Sequence, residues 1–267
     1  MQRTVDLESI LVEESFLVSL MSLKVVALVL AILFLGMDAV SAQENKLKPD
    51  SELVYKTVDD VKLKLFCFHP DGYQPTDKRS AIVFFFGGGW NSGTAKQFFE
   101  QARFFADRGM VAMSAEYRVK KRNRTTPFEC AKDGKSAIRY LRQHAEELGI
   151  DPNQIVASGG SAGGHVAACT GVIKDFDETG EDLSVSSIPN AMILFNPVLD
   201  TTAKGFGLKA VGESRQTEIS PCHHVRSGIV PTLVFHGTAD TTVPFENAER
   251  FTRLMKENGN VLSLIHI

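Results

Sequence analysis

Ala81 to Phe86 is an unbroken apolar run, AIVFFF, with Lys78 and Arg79 before it and three glycines after it. A short run bounded in this way predicts a strand buried on both faces, the mark of a central strand in a parallel sheet. Upstream, ELVYKTV and VKLKLFCFH predict two strands joined by Asp59 and Asp60, an antiparallel entry to that sheet. Downstream, a helical segment from Thr94 to Asp107 leads into the strand MVAMSAEY. A longer helix is predicted from about Pro127 to Leu148, because Ile138, Leu141, Ala145 and Leu148 recur every three or four residues and Gly149 stops it. QIVAS, NAMILFNPV, IVPTLVFHG and NVLSLIHI predict further strands, with helices beginning near Ser161 and in PFENAERFTRLMKENG. Strands alternating with helices specify an α/β fold built on a doubly wound, mostly parallel sheet. The stretch from Asp200 to Arg226 lacks periodicity; it is expected to cover the carboxyl edge of the sheet, as a surface connection in preference to a lid.

The first forty-two residues follow a different logic. From Met21 the chain has one lysine, an apolar stretch from Val25 to Gly36, and then Val40, Ser41 and Ala42, small residues that suit a signal peptidase. This predicts a signal peptide over 21–42 and a mature protein that is secreted or periplasmic. The stretch is short against the ~20 residues of a membrane span, so no stable insertion is expected after cleavage. Residues 1–20 are acidic where a signal needs positive charge, and translation is expected to begin at Met21. One domain, 43–267, remains.

A formal net charge of -3 with no lysine and arginine stripe sets nucleic acid aside as a partner. Cys67, Cys130, Cys169 and Cys222 have no metal-site spacing, and their pairing stays open. KDFDETGED lacks the glycine and final glutamate of a calcium loop and reads as a solvated connection, so neither metal nor cofactor is implied.

The chemistry lies in two glycine-rich turns. In SGGSAGGH, Gly159, Gly160, Ser161, Ala162 and Gly163 fit the pattern G-x-S-x-G, between a predicted strand and a predicted helix. Ser161 is the candidate nucleophile, set at a helix amino end that favours developing negative charge. In FFFGGGW, the glycines let the backbone itself approach an oxyanion; the amides of Gly88 and Gly89, with that of Ala162, are the candidate donors.

GGGW, AEYR, DPNQIVASGGSAGGH and HGTADTTVP together resemble the hormone-sensitive-lipase-like and bacterial feruloyl or acetyl esterase-like (BD-FAE-like) branch of the α/β-hydrolase superfamily, from about Glu52 onward. The chain departs from it at Phe86, where the family usually carries histidine. The resemblance implies an α/β-hydrolase fold, a Ser-His-Asp acyl-enzyme mechanism and Asp240 as the acid, with Asp200 the rival. A carboxylate ending a strand near that of Ser161 is placed to orient an imidazole. It also implies a carboxylic ester hydrolase for small acyl or carbohydrate-linked esters. A prolyl-oligopeptidase-type peptidase and a non-catalytic binding protein on the same scaffold are the alternatives.

The base is the missing part. His69, His144, His165, His223, His224 and His236 each sit where another role is expected, which leaves His266 as a weak candidate, inside the apolar run LSLIHI. LSLIHI is also the translation of CTGTCTCTTATACACATC, the transposon end of a common sequencing adapter. The expectation is therefore a C-terminally truncated gene product whose residues 262–267 are artefactual and whose catalytic histidine is absent.

Overall fold

The computed structural model describes residues 47–267, and Pro49–Ile267 form one compact unit. The signal expected at 21–42 and the upstream segment at 1–20 lie outside the described residues. Eight strands form one sheet: β1 (Ser51–Val58), β2 (Val61–Phe68), β3 (Arg79–Phe85), β4 (Val111–Ala115), β5 (Ile150–Gly160), β6 (Ala191–Phe195), β7 (Thr232–His236) and β8 (Leu262–His266). Their order is β1-β2-β4-β3-β5-β6-β7-β8. β1 and β2 form the predicted hairpin, closed by Asp59 at a left-handed φ of 49°. β2 meets β4 antiparallel, and every pairing from β4 to β8 is parallel.

The apolar run takes the central position expected of it. Ala81 to Phe85 are wholly buried in β3, between β4 and β5. Parallel pairing gathers the carboxyl ends of the strands along one edge: Phe85 lies opposite Gly159, Gly160 opposite Phe195, Phe195 opposite Phe235, and His236 opposite His266. In open α/β sheets that edge is where ligands bind.

Among the described residues, four helices of eight or more residues flank the sheet: α1 (Phe99–Ala106), α2 (Pro127–Gln143), α3 (Ala162–Val172) and α4 (Glu246–Glu257). α2 begins on a capping box between Thr126 and Glu129, with Pro127 at its first position. It ends at Gln143, five residues before the predicted limit. Ala145 and Leu148 stay buried, but in a turn that closes on Gly149, at φ +56°. Their apolar spacing records contact with the core, which a turn provides as well as a helix.

The acidic connection after α3 is not simply solvated. Glu178 pairs with Lys56, Arg118 and Lys132, while Asp177 pairs with Lys135 and Arg139. Beneath them Asp133, fully buried on α2, takes Lys56 and Arg118. A buried carboxylate persists only when its charge is met in this way. All four cysteines are buried and free. Among the described residues, no helix is long and apolar enough to cross a membrane.

Candidate active site

Ser161 stands between β5 and α3 at φ 55° and ψ −121°, a region that non-glycine residues rarely enter and that costs about 1–3 kcal/mol. Its surroundings over-determine it. The Ser161 amide donates to the Phe195 carbonyl at 2.9 Å, and its carbonyl accepts from His165 at 3.0 Å and Val198 at 3.3 Å. α3 follows so closely beneath β3 that a Cβ on Gly163 would collide with the carbonyl oxygens of Phe85 and Phe86. Hence the glycine after Ala162: any side chain there would push the helix off the sheet. All eleven residues of α3 are buried, while Ser161 is partly exposed, and its hydroxyl has no hydrogen-bond partner among the described residues.

The glycine run faces it. A Cβ on Gly87 would lie 3.4 Å from the Ser161 Cβ. Gly88 is at φ +131°, where a side chain would strike the Ser92 carbonyl, and its own carbonyl accepts the amides of Asn91 and Ser92. The amides of Gly88 and Gly89 have no protein acceptor among the described residues. The Ala162 amide opens α3, where the first turn has no acceptors of its own.

Two side chains hold this loop that sequence reasoning did not single out for it. The Gly87 amide donates to Gln97 Oε1, from the turn before α1. Trp90, on the other flank, donates its indole N–H to His165 Nδ1 at 3.3 Å, while His165 Nε2 lies 2.7 Å from the Ile219 carbonyl. With Nδ1 accepting, Nε2 carries the proton and donates to Ile219. Burial drives the imidazole down to about 4, against a smaller opposing effect of the Ile219 bond, so the ring is neutral and its tautomer fixed. A lone polar ring in the apolar stretch HVAACTGV was the available signal for His165; Gln97 carried none. Phe86 fills the place of the family's histidine by stacking on Tyr117 at 4.1 Å, and the Tyr117 hydroxyl donates to the Phe86 carbonyl at 2.6 Å.

Asp240 follows β7. Its Oδ1 accepts the amides of Thr242 and Val243 at 2.8 and 2.9 Å, and its side chain is 18% exposed. Asp200 is fully buried, ion-paired with Arg250 and bonded to the Thr202 amide, which commits it to organising the segment after β6. That segment does more than cover the edge: Gly207 rests on the Trp90 ring, and Phe206 packs 6.0 Å from it.

Among the described residues no histidine ring hydrogen-bonds the Ser161 hydroxyl. His69 meets Ser51, His144 meets Glu147, His223 meets Ser220, and His224 meets the Thr217 carbonyl. His236 Nε2 donates to the Val243 carbonyl at 3.0 Å, with Asp240 Oδ2 at 3.6 Å. His266 lies exposed in β8 with its ring edge-on to Phe245, and it is bonded to neither Asp240 nor Ser161. No group of three or more metal-ligating side chains is found among the described residues.

Solved structures of esterase 2 from the planctomycete Thermogutta terrifontis share this architecture. The form phosphorylated by paraoxon is 51% identical, with a TM-score of 0.77 over 81% of each chain. The butyrate-bound form is 48% identical, with a TM-score of 0.78 over 83% of this chain and 84% of that one. By sequence, the chain is 26% identical over 207 residues to the Arabidopsis thaliana protein named probable isoprenylcysteine alpha-carbonyl methylesterase ICMEL1, covering 69% of this chain and 43% of the relative. It is 25% identical over 219 residues to an acetylxylan esterase of Xylanibacter ruminicola, covering 77% and 42%. The chain thus spans about half the length of the curated relatives it matches. Residues 71–255 match the BD-FAE family, and the chain belongs to that family of α/β-hydrolases.

Proposed function

We propose that this protein is a serine carboxylic ester hydrolase acting outside the cytoplasm on esters of small acyl groups, including those carried by carbohydrate. Ser161 Oγ attacks the ester carbonyl carbon, and the amides of Gly88, Gly89 and Ala162 receive the oxyanion. Asp240 orients an imidazole that takes the serine proton and returns it to the leaving alkoxide; water then repeats the sequence on the acyl-enzyme. The carrying observation is the left-handed Ser161 beside Gly87 at the head of α3. The named activities of the relatives support ester cleavage over peptide cleavage, and the leader pattern at 21–42 supports export.

The imidazole of that mechanism is not in hydrogen-bonding position to Ser161 among the described residues. The same observation favours a second reading, a non-catalytic ester-binding protein. One experiment separates them: the protein is treated with a fluorophosphonate and with p-nitrophenyl esters of increasing acyl length. Labelling at Ser161 with turnover of the short esters supports the hydrolase; an unlabelled, folded protein overturns it.

A further inference from the structure

Two cavities flank Trp90 and share it. One, of about 480 Å³, is lined by Phe206, Leu208 and small residues of the segment after β6, with Lys209 at the border it shares with the other. The other, of about 490 Å³, is lined by Lys120, Arg124, Thr125 and Lys209 together with Gly89 and Trp90. The second is basic in a chain whose formal net charge is -3. Its cations are exposed, and no ion pair engages Lys120, Arg124 or Lys209 among the described residues. The carboxylate on this rim, Glu129, is taken up by the amide and hydroxyl of Thr126, both within 2.7 Å.

Two further observations make this more than a charged surface. The Thr125 hydroxyl oxygen is buried and has no hydrogen-bond partner, an unusual cost that an incoming acceptor would remove. The basic turn is also stapled to the oxyanion loop: the amides of Lys120 and Lys121 donate to the carbonyls of Trp90 and Asn91 at 2.9 Å each, and the Arg122 guanidinium donates to the Gly93 carbonyl. A ligand held by these cations therefore sits against the loop that carries Gly88 and Gly89.

We infer that the Lys120–Arg124–Lys209 pocket is an anion subsite of the ester cleft, which receives a carboxylate or sulfate borne by the substrate while the cavity beside Phe206 takes its apolar part. The preferred substrates are then esters of acidic saccharides. This rests on the esterase reading, and the test is chosen to stand apart from it.

Trp90 is the only tryptophan in the sequence and lines both cavities, so its fluorescence reports binding without any need for turnover. The protein is titrated with trigalacturonate, a sulfated galactose disaccharide and neutral xylotriose at low salt and in about 1 M salt, where the Debye length falls to about 3 Å. A saturable response to either anion, stronger than to xylotriose and weakened by salt, is expected; the anion that responds identifies the source. Lys120→Glu and Lys209→Glu should each weaken that binding about tenfold, as expected for reversing one charge near another at a solvated surface. Lys62→Glu, which makes the same change in net charge elsewhere, should not. Equal responses to neutral and acidic saccharides, no response to either anion, or equal loss in Lys62→Glu would overturn the inference. Absence of p-nitrophenyl acetate hydrolysis in the same preparation counts against the esterase reading alone.

Discussion

The backbone amide of Gly87 donates to the side-chain carbonyl of Gln97, ten residues on, directly beside the Ser161 Cβ. The bond clamps the first peptide of the loop whose next two amides are free, so Gln97 acts on the proposed oxyanion donors without touching substrate. Removing a donor from such a site costs about 10²–10³ in kcat, and loosening one should cost less. Gln97→Ala is expected to lower kcat by roughly tenfold with little change in KM, measured on p-nitrophenyl acetate. A drop confined to KM would assign Gln97 to substrate binding instead.

The left-handed geometry of Ser161 should be visible as stored strain. Ser161→Gly removes the proposed nucleophile and also the Cβ that makes φ 55° costly. The variant should lose all ester turnover and fluorophosphonate labelling while gaining about 1 kcal/mol in denaturant unfolding. Loss of stability would show that the hydroxyl is part of the fold's own bonding.

Asp240 and Asp200 are separable by what each substitution damages. Asp240→Asn should keep the turn, since the amide oxygen can still accept from Thr242 and Val243, yet lower kcat by about 10⁴ as the tautomer of the imidazole is lost. Asp200→Asn leaves Arg250 without a counter-charge and should appear chiefly as a lower melting temperature. The reverse pattern would exchange their roles.

Acid should unfold the protein in two windows. His165 is held far below its usual 6.5, so the unfolded chain binds its proton first; that contribution is complete above pH 6.5 and fades as pH falls toward 4. Glu178 works lower. Burial opposes its charge, but the Lys56 hydrogen bond and the charges of Lys56, Lys132 and Arg118 outweigh it and hold the carboxyl at about 2. Its contribution is present above its usual 4.5 and is lost as pH falls toward 2. Urea midpoints against pH should show both, with Glu178→Gln flattening only the lower window.

The parts of the fold that were legible in the sequence are those whose cause is local. AIVFFF marked a buried strand because burial on both faces leaves no polar position, and G-x-S-x-G marked the corner because close packing of α3 on β3 excludes side chains there. Other features depend on partners far away along the chain. Gln97 is an exposed polar residue with no pattern around it, and its meaning appears only when Gly87 is placed against it. Asp177 and Glu178 looked solvated because their cations, Lys56, Arg118, Lys135 and Arg139, come from other elements. The end of α2 was misplaced because Ala145 and Leu148 keep helical spacing while sitting in a turn.

Through His165, the indole of Trp90 and the carbonyl of Ile219 are braced against the helix that follows Ser161. The segment above the cleft and the loop beneath it are therefore parts of one frame. Exchanging that segment with a relative's, in an attempt to retune which esters fit, would disturb the aim of the proposed oxyanion donors as well, and selectivity and speed would shift together.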